Sequence, residues 1–176
     1  MGTCTTLVLH LLLAEASIVT DTPWCPKRCS CDADFDTVDC SLRNLTEVPP
    51  GLPSFVRSID LFGNEIRALR NGTLVGLNNL YSLRLTGNKI SRIETSAFRG
   101  LDSLNELWVD DNDLSIGVLE VSLFGVIHNF LPSLQILSVR NNQFALLPHS
   151  LQPMTGLSFN QLDFSDNHNM CEAPDG

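Results

Sequence analysis

The chain is predicted to fold as an α/β solenoid, with a parallel sheet of about five to six strands on its concave side. Short helices or irregular turns are expected on its convex side. Two observations predict this fold. An apolar pattern, L-x-x-L-x-L-x-x-N-x-L, occurs four times and then once more in a weaker form. Every copy contains an asparagine at the same place, giving the series Asn64, Asn88, Asn112, Asn142 and Asn167.

The copies recur at a nearly fixed period. The strong copies begin at Val56, Leu80, Leu104 and Leu134, and the weak copy begins at Phe159. Successive asparagines are 24, 24, 30 and 25 residues apart. Because the known units with this pattern run roughly 20–29 residues, the pattern is that of a leucine-rich repeat, with extra length between the third and fourth copies.

The L-x-L core of each copy is predicted to be a short strand. Alternate residues of a strand point to opposite faces, so the apolar residues share one side and the intervening residues share the other. One copy cannot bury its apolar side alone, whereas stacked copies bury a continuous core. The asparagine amide is expected to satisfy backbone groups of the turn that follows each strand.

The longer segment between the third and fourth copies is predicted to form a helix on the convex side. Leu119, Leu123, Ile127 and Phe130 have helical spacing, and Pro132 ends the segment. The alternative is a protruding element that binds a partner.

Residues 1–16 are predicted to be a secretory signal peptide. A short apolar run precedes an A-x-A cleavage site at 14–16. The alternative, an N-terminal membrane anchor, is disfavoured because the run is too short to span a bilayer. The polar end of the chain offers no lipid-anchor tail, so a secreted protein without a membrane anchor is expected.

Four cysteines, Cys25, Cys29, Cys31 and Cys40, crowd the start of the predicted mature chain. In a secreted protein such a cluster predicts two disulfides, with three pairings open. A zinc knuckle is the alternative, and the absence of a nearby histidine weighs against it. Residues 24–53 are therefore predicted to form a disulfide-tied cap that covers the apolar end of the first repeat.

The motif Cys25-Pro26-x-x-Cys29-x-Cys31-x8-Cys40 resembles the N-terminal capping module of extracellular leucine-rich-repeat proteins. The chain is especially similar to the variable lymphocyte receptors of jawless vertebrates, and also to Slit proteins, the Nogo receptor and Toll-like receptor ectodomains. This resemblance implies pairing of Cys25 with Cys31 and of Cys29 with Cys40. It also implies binding of proteins or glycans on the concave sheet, without catalytic activity.

Residues 54–170 are predicted to hold about five repeats, and residues 171–176 a truncated C-terminal cap or tail. Cys171 is either an incidental thiol or an interchain disulfide. In the second case an apolar edge with Phe159, Phe164 and Met170 would join two copies in a homodimer with twofold symmetry.

The predicted ligand-binding face consists of the outward residues of the strands. Trp108 occupies the middle of the middle strand, and exposed Trp and Arg are frequent at binding hot spots. The alternative is a tryptophan that its neighbours cover and that binds nothing. The candidate ligand-binding residues are Asp60, Phe62, Arg84, Trp108, Asp110, Ile136 and Arg140.

Other functions are disfavoured. The net charge of −9 makes nucleic acid an improbable partner. The run 110–113, Asp-Asp-Asn-Asp, lacks the spacing of a calcium loop, so neither a metal nor a cofactor is expected. His128, His149 and His168 lie in different repeats without a catalytic triad. Asn44 and Asn71 head N-glycosylation sequons that are expected to lie away from the concave columns.

These observations predict a secreted, non-enzymatic recognition protein that binds a microbial surface glycan or an extracellular protein, most directly in innate-immune pathogen recognition. The alternatives are a matrix or cell-guidance protein that binds host proteins, and a fragment of a larger leucine-rich-repeat receptor.

Overall fold

The computed structural model describes residues 23–115, 130–144 and 160–167. The predicted signal peptide, most of the predicted convex helix, Phe159, Met170 and Cys171 lie outside these ranges.

The fold is a solenoid of short strands. The strands are β1 (Ser30–Asp32), β2 (Thr37–Asp39), β3 (Ser58–Asp60), β4 (Ala68–Leu69), β5 (Ser82–Arg84), β6 (Arg92–Ile93), β7 (Glu106–Trp108), β8 (Ile136–Ser138) and β9 (Gln161–Asp163). The described part of the main sheet has the order β1-β2-β3-β5-β7-β8-β9. Only the β1–β2 pair is antiparallel, so six strands run parallel, as the repeat pattern predicts.

The register of the sheet is the one that the repeat alignment predicts. Ile59, Leu83, Leu107, Leu137 and Leu162 are successive partners along the sheet. The outward residues on either side of them form matching columns, so they lie on one continuous surface of the sheet.

The core lies between the concave sheet and the convex segments. Inward residues of the first repeats and of the turns that follow their strands are fully buried, as at Leu61, Leu85 and Leu107. Large side chains from the convex side, including Phe98 and Phe144, complete the core opposite the sheet. At roughly 25 cal/mol per Å² of apolar surface, this burial is the main stabilising term of the fold.

The repeat asparagines form a buried ladder. Each Nδ2 donates to the carbonyl oxygen three residues back and to the corresponding carbonyl of the preceding repeat. Asn88, for example, donates to Leu85 and Leu61, both at 2.9 Å. Each Oδ1 accepts a backbone N–H from the preceding repeat, as Asn112 does from Ile90 at 2.9 Å. The asparagines thus satisfy turn groups that would otherwise be buried without partners, which confirms their predicted role.

The residue before each ladder asparagine adopts a positive φ, with values between 45° and 71° at Gly63, Gly87, Asp111, Asn141 and Asp166. The N–H of Gly63 donates to the carbonyl of Thr86 at 3.0 Å, and the same bond recurs along the sheet. Glycine, aspartate and asparagine tolerate this conformation, which explains their recurrence there.

The N-terminal cap continues the solenoid. Disulfides join Cys25 to Cys31 and Cys29 to Cys40, the pairing that the resemblance implied. Strand β2 pairs in parallel with β3, and its Val38 is 1% exposed. The Trp24 ring packs edge-on against Phe55, with centroids 5.0 Å apart. The cap therefore covers the apolar end of the first repeat, the role predicted for it.

The convex side holds one feature that the sequence analysis did not predict. Strands β4 and β6 form a separate two-stranded parallel sheet, in which Leu69 pairs with Ile93. These residues are 24 positions apart and almost fully buried. Two-residue strands leave no alternation long enough to recognise in a sequence, although the repeat period relates the pair.

Candidate ligand-binding face

The candidate binding face is the outward surface of the main sheet. Asp60, Arg84, Trp108, Ser138 and Asp163 form one column through direct strand pairing. A second column holds Ser58, Ser82, Glu106, Ile136 and Gln161. The cap extends both columns with Thr37 and Asp39, which the sequence analysis did not include. The disulfide cluster was the only sequence signal there, and it gave no register.

Arg84 is held in one orientation by two neighbours. Its Nη1 lies 3.4 Å from the Asp60 carboxylate, and its guanidinium carbon lies 4.6 Å above the centre of the Phe62 ring. Three predicted site residues thus form one cluster. A planar cation stacked on an aromatic ring loses less side-chain freedom when it binds a partner.

Trp108 lies directly between Arg84 and Ser138 in neighbouring strands. Its side chain is half-buried, so it is neither fully open to solvent nor part of the core. Among the described residues, no hydrogen bond or ring contact engages the indole. The indole N–H and the exposed part of the ring are therefore available to a ligand.

Asp110 joins two repeats. Its Oδ1 accepts the hydroxyl of Ser138 and the backbone N–H of Arg140, the latter at 2.7 Å. Ser138 is almost fully buried as a result, although it occupies an outward column. Asp110 thus has an architectural role that the sequence analysis did not predict.

Arg140 is paired with carboxylates of the next repeat. Its Nη2 lies 2.9 Å from Asp166, and its Nε lies 3.7 Å from Asp163. The hydrogen bond that Arg140 donates to Asp166, followed by the charge of Asp163, raises the pKa of Arg140 above its usual value. Arg140 is exposed, and any anionic ligand would compete with these two partners.

Three aspartates of the columns also close local turns. Asp39, Asp60 and Asp163 each accept the backbone N–H two residues ahead, at 2.8–2.9 Å. Hydrogen bonds from the Ser41 side chain and backbone lower the pKa of Asp39. The backbone N–H of Ser165 is the largest cause of the lowered pKa of Asp163. The lowered pKa values keep the carboxylates of Asp39 and Asp163 charged at neutral pH.

The remaining predicted residue, Ile136, is half-buried beside Glu106 in the second column. Glu106 accepts the Ser82 hydroxyl at 3.0 Å. From β2 to β9, the outward residues of the described strands and of the turns that follow them include five acids and two bases. They are Asp39, Asp60, Glu106, Asp110 and Asp163 against Arg84 and Arg140. The face is therefore negative overall, and both bases are already paired.

The turns beside the face contain further acidic residues. Asp110, Asp111, Arg140, Asn141 and Asp166 line a cavity of about 360 Å³. Asn141 donates to Asp111 at 2.7 Å, and Arg140 donates to Asp166 at 2.9 Å. Over the described ranges, no three side chains of the metal-binding types come together.

Both sequons lie off the concave face. Asn44 is exposed in the turn that follows cap strand β2 and Cys40. Asn71 is exposed just after the convex strand β4. Its Oδ1 accepts the backbone N–H of Ser96 at 2.8 Å, which joins two convex turns.

The parallel sheet, the buried asparagine ladder and the disulfide cap together define the class of protein. The chain is a leucine-rich-repeat protein with a cysteine-containing N-terminal cap. Within the described residues, no helix is both long and apolar enough to cross a membrane.

Comparisons with known proteins agree with this class. The family profiles described as "Leucine rich repeat" and "Leucine Rich Repeat" match residues 55–114 and 133–154. Mouse leucine-rich repeat and immunoglobulin-like domain-containing nogo receptor-interacting protein 3 is 42% identical over 77 residues, covering 44% of this chain and 13% of that protein. Human trophoblast glycoprotein is 48% identical over 48 residues, covering 27% of this chain and 11% of that protein.

A solved structure supports the same assignment. The crystal structure of human 5T4, also titled Wnt-activated inhibitory factor 1 and trophoblast glycoprotein, superposes with a TM-score of 0.64 at 28% identity. The superposition covers 81% of this chain and 63% of that one. The chain spans only a small part of the curated relatives above. Such relatives are extracellular or cell-surface proteins, in general non-enzymatic and involved in binding.

Proposed function

We propose that this chain is a secreted, non-enzymatic recognition protein that binds its ligand on the concave face, with Trp108 at the centre. The observation that carries the proposal is the half-buried, unpaired indole beside the stacked Arg84. A rigid aromatic side chain next to an oriented cation has the composition of a binding hot spot. Phe62 and Ile136 add apolar surface on either side.

The charge of the face favours an extracellular protein with basic side chains as the ligand. The candidate face carries five acids and two bases from β2 to β9, and both bases already form ion pairs with acids. Complementary charge speeds encounter and excludes partners of like charge. A host protein bound in this way fits a matrix or guidance role, or that of a receptor fragment. The name of the mouse relative, "nogo receptor-interacting", describes binding to a protein in the case of that relative.

A microbial surface glycan is the second candidate, corresponding to innate-immune recognition. The observation that favours it is Trp108, whose ring offers a flat surface beside hydrogen-bonding groups. The negative face restricts this candidate to neutral or cationic glycans, because phosphate-rich or carboxylate-rich polymers would be repelled.

The experiment presents the secreted protein to three ligand sets: basic extracellular proteins, neutral microbial glycans, and intact bacteria. Trp108→Ala and Arg84→Ala are compared with Tyr81→Ala, which removes an exposed aromatic just before strand β5. We expect each face variant to weaken binding by about 30-fold, the loss of about 2 kcal/mol that defines a hot spot. Tyr81→Ala should leave binding unchanged.

Two outcomes would contradict the proposal. Binding that survives both face substitutions would move the site away from Trp108. Equal losses for Tyr81→Ala and Trp108→Ala would mean that the face has no special part. Preference for basic proteins that disappears at high salt would support the first candidate, and salt-independent glycan binding would support the second.

A homodimer through the C-terminal end remains a separate proposal. Leu162 is 40% exposed, whereas its strand partner Leu137 is fully buried. Pairing of two chains at this end would cover that apolar surface, and Cys171 could then link them. The mass of the secreted protein on size exclusion, and on a gel with and without reductant, tests this. A monomer under every condition would refute it.

A further inference from the structure

The turn that carries Asn44 is fixed by the asparagine ladder. The N–H groups of Arg43 and Leu45, on either side of Asn44, donate to Oδ1 of Asn64 at 3.1 and 2.9 Å. Asn44 itself has a φ of 53° and an exposed side chain. Among the described residues, no hydrogen bond occupies its amide group. A rigid turn therefore presents a free amide of a sequon, Asn44-Leu45-Thr46.

The same amide borders a groove in the cap. The groove has a volume of about 430 Å³, and its walls include the rings of Pro26, Pro49 and Pro50 together with Leu45. Lys27 and Arg28 supply hydrogen-bond donors at its rim. Its volume falls in the range of roughly 300–1,000 Å³ that is typical of clefts for small ligands. Apolar rings with a few donors match a sugar, which has both C–H faces and hydroxyls.

We propose that Asn44 carries an N-linked glycan and that the first N-acetylglucosamine of this glycan lies in the groove, where it packs as part of the cap. The inference assumes passage through the secretory pathway, and it is independent of the ligand proposed for the concave face. The donor is an oligosaccharide linked to a lipid pyrophosphate. A bond forms between Asn44 Nδ2 and C1 of the sugar, the C1–O bond to the pyrophosphate breaks, and the amide loses one proton.

Asn71 offers a matched contrast within the same chain. Its Oδ1 is already bonded to Ser96, and its N–H donates to Glu94 at 2.9 Å. A nearby cavity on the convex side is lined by Gly72 and Thr73, and Asn71 is not among its lining residues. A glycan on Asn71 would project into solvent and add little to stability.

The experiment measures thermal unfolding of protein secreted with high-mannose glycans. Three forms are compared: the intact glycoprotein, protein trimmed by an endoglycosidase to one N-acetylglucosamine per site, and protein stripped by peptide N-glycosidase. The last enzyme hydrolyses the side-chain amide and leaves aspartate at each glycosylated site, so an Asn44→Asp variant is measured beside the stripped form. We expect the trimmed form to keep the midpoint of the intact form. Complete removal should lower the midpoint on the order of 3 °C, because contacts of the first sugar are then lost.

Variants assign the effect to one site. Thr46→Ala, which abolishes the Asn44 sequon, should lower the midpoint as stripping does, whereas Thr46→Ser keeps the sequon and should not. Thr73→Ala, which abolishes the Asn71 sequon and keeps the bond between Asn71 and Ser96, should leave the midpoint unchanged. Pro50→Ser, which removes an exposed ring from the groove wall, should abolish the difference between trimmed and stripped protein.

Either of two results would overturn the inference. One is a mass spectrum that shows Asn44 unmodified in the secreted protein. The other is the same midpoint for trimmed and stripped protein. Because the enzymes act on folded wild type, the second test holds even if Thr46→Ala fails to fold. Neither readout involves a ligand, so failure here would leave the proposed concave-face function untouched.

Discussion

Replacing Asn112 by alanine should cost far more stability than an asparagine-to-alanine change at the surface. Asn112 is 7% exposed, and its amide makes four hydrogen bonds. Oδ1 accepts the N–H of Ile90 at 2.9 Å. Nδ2 donates to the carbonyls of Leu85 and Val109 at 3.1 Å and to that of Asp110 at 2.9 Å.

The bonding of the neighbouring asparagines sets the magnitude. The carbonyl of Leu85 also accepts from Asn88, and that of Val109 also accepts from Asn142. The carbonyl of Asp110 accepts the N–H of Gly87 as well. All three acceptors therefore keep a partner in the alanine variant, and the N–H of Ile90 loses its partner. One orphaned buried donor costs about 1–3 kcal/mol, and the three weakened acceptors bring the total to roughly 3–4 kcal/mol.

Urea unfolding of the wild type, Asn112→Ala and Asn79→Ala measures this difference. Asn79 also bonds a preceding segment, donating to the carbonyl of Ser54 at 2.9 Å, but this bond is exposed. Its loss should cost at most about 1 kcal/mol. Asn112→Asp keeps the acceptor for Ile90 and sets a carboxylate against three carbonyls, so it should be no more stable than the alanine variant. Equal costs at positions 112 and 79 would refute the ladder as a main source of stability.

Two further predictions concern the cap and acid stability. Gly63→Ala and Gly51→Ala should each cost about 1–2 kcal/mol in the same assay, because both glycines have a positive φ. At Gly63 the added Cβ would meet only the end of the exposed Leu42 side chain, which can turn away. A much larger cost at Gly63 would show that Leu42 is fixed in place. The Asn71 N–H, and next the Arg92 side chain, lower the pKa of Glu94 below 4.5. Its contribution to stability is therefore present above about pH 4.5 and lost as pH falls through the lower folded value. Glu94→Gln should be less stable than wild type at pH 7 and equal to it at pH 2, and a difference that persists at pH 2 would contradict this cause.

The sequence predicted those parts of the fold that repeat. The spacing of Leu83, Leu107 and Leu137 gave the register of the sheet, since each side chain must reach the same buried layer. The asparagine ladder followed from the need to satisfy buried turns. The β4–β6 pair did not follow, because two-residue strands have no readable alternation. The cap strand β2 was missed for a related reason, since the disulfide cluster predicts a tied unit without its register.

The sequence predicted which residues share the candidate face, but not their separate roles in the structure. Sequence reasoning placed Asp60 and Asp110 on the candidate face, and in the structure both lie along the outward side of the sheet. Each of these carboxylates also contacts the neighbouring repeat, 24 or more residues away in the chain, as Asp60 does through its ion pair with Arg84. Asp110, for instance, accepts from Ser138 and Arg140. Such contacts become visible only once the strands are side by side.

The division of roles has a consequence for the face as a whole. Asp60 and Asp110 hold backbone groups, so replacing either should lower stability and disturb binding together. The Trp108 side chain makes no hydrogen bond within the described strands, so its replacement should weaken binding more than it lowers stability. Arg84 lies between these cases, because it is ion-paired and stacked yet exposed. Unfolding and binding measured on the same alanine variants would separate the two kinds of residue. If Trp108→Ala destabilised the fold as much as Asp110→Ala did, the indole would have to be reassigned to the architecture of the sheet.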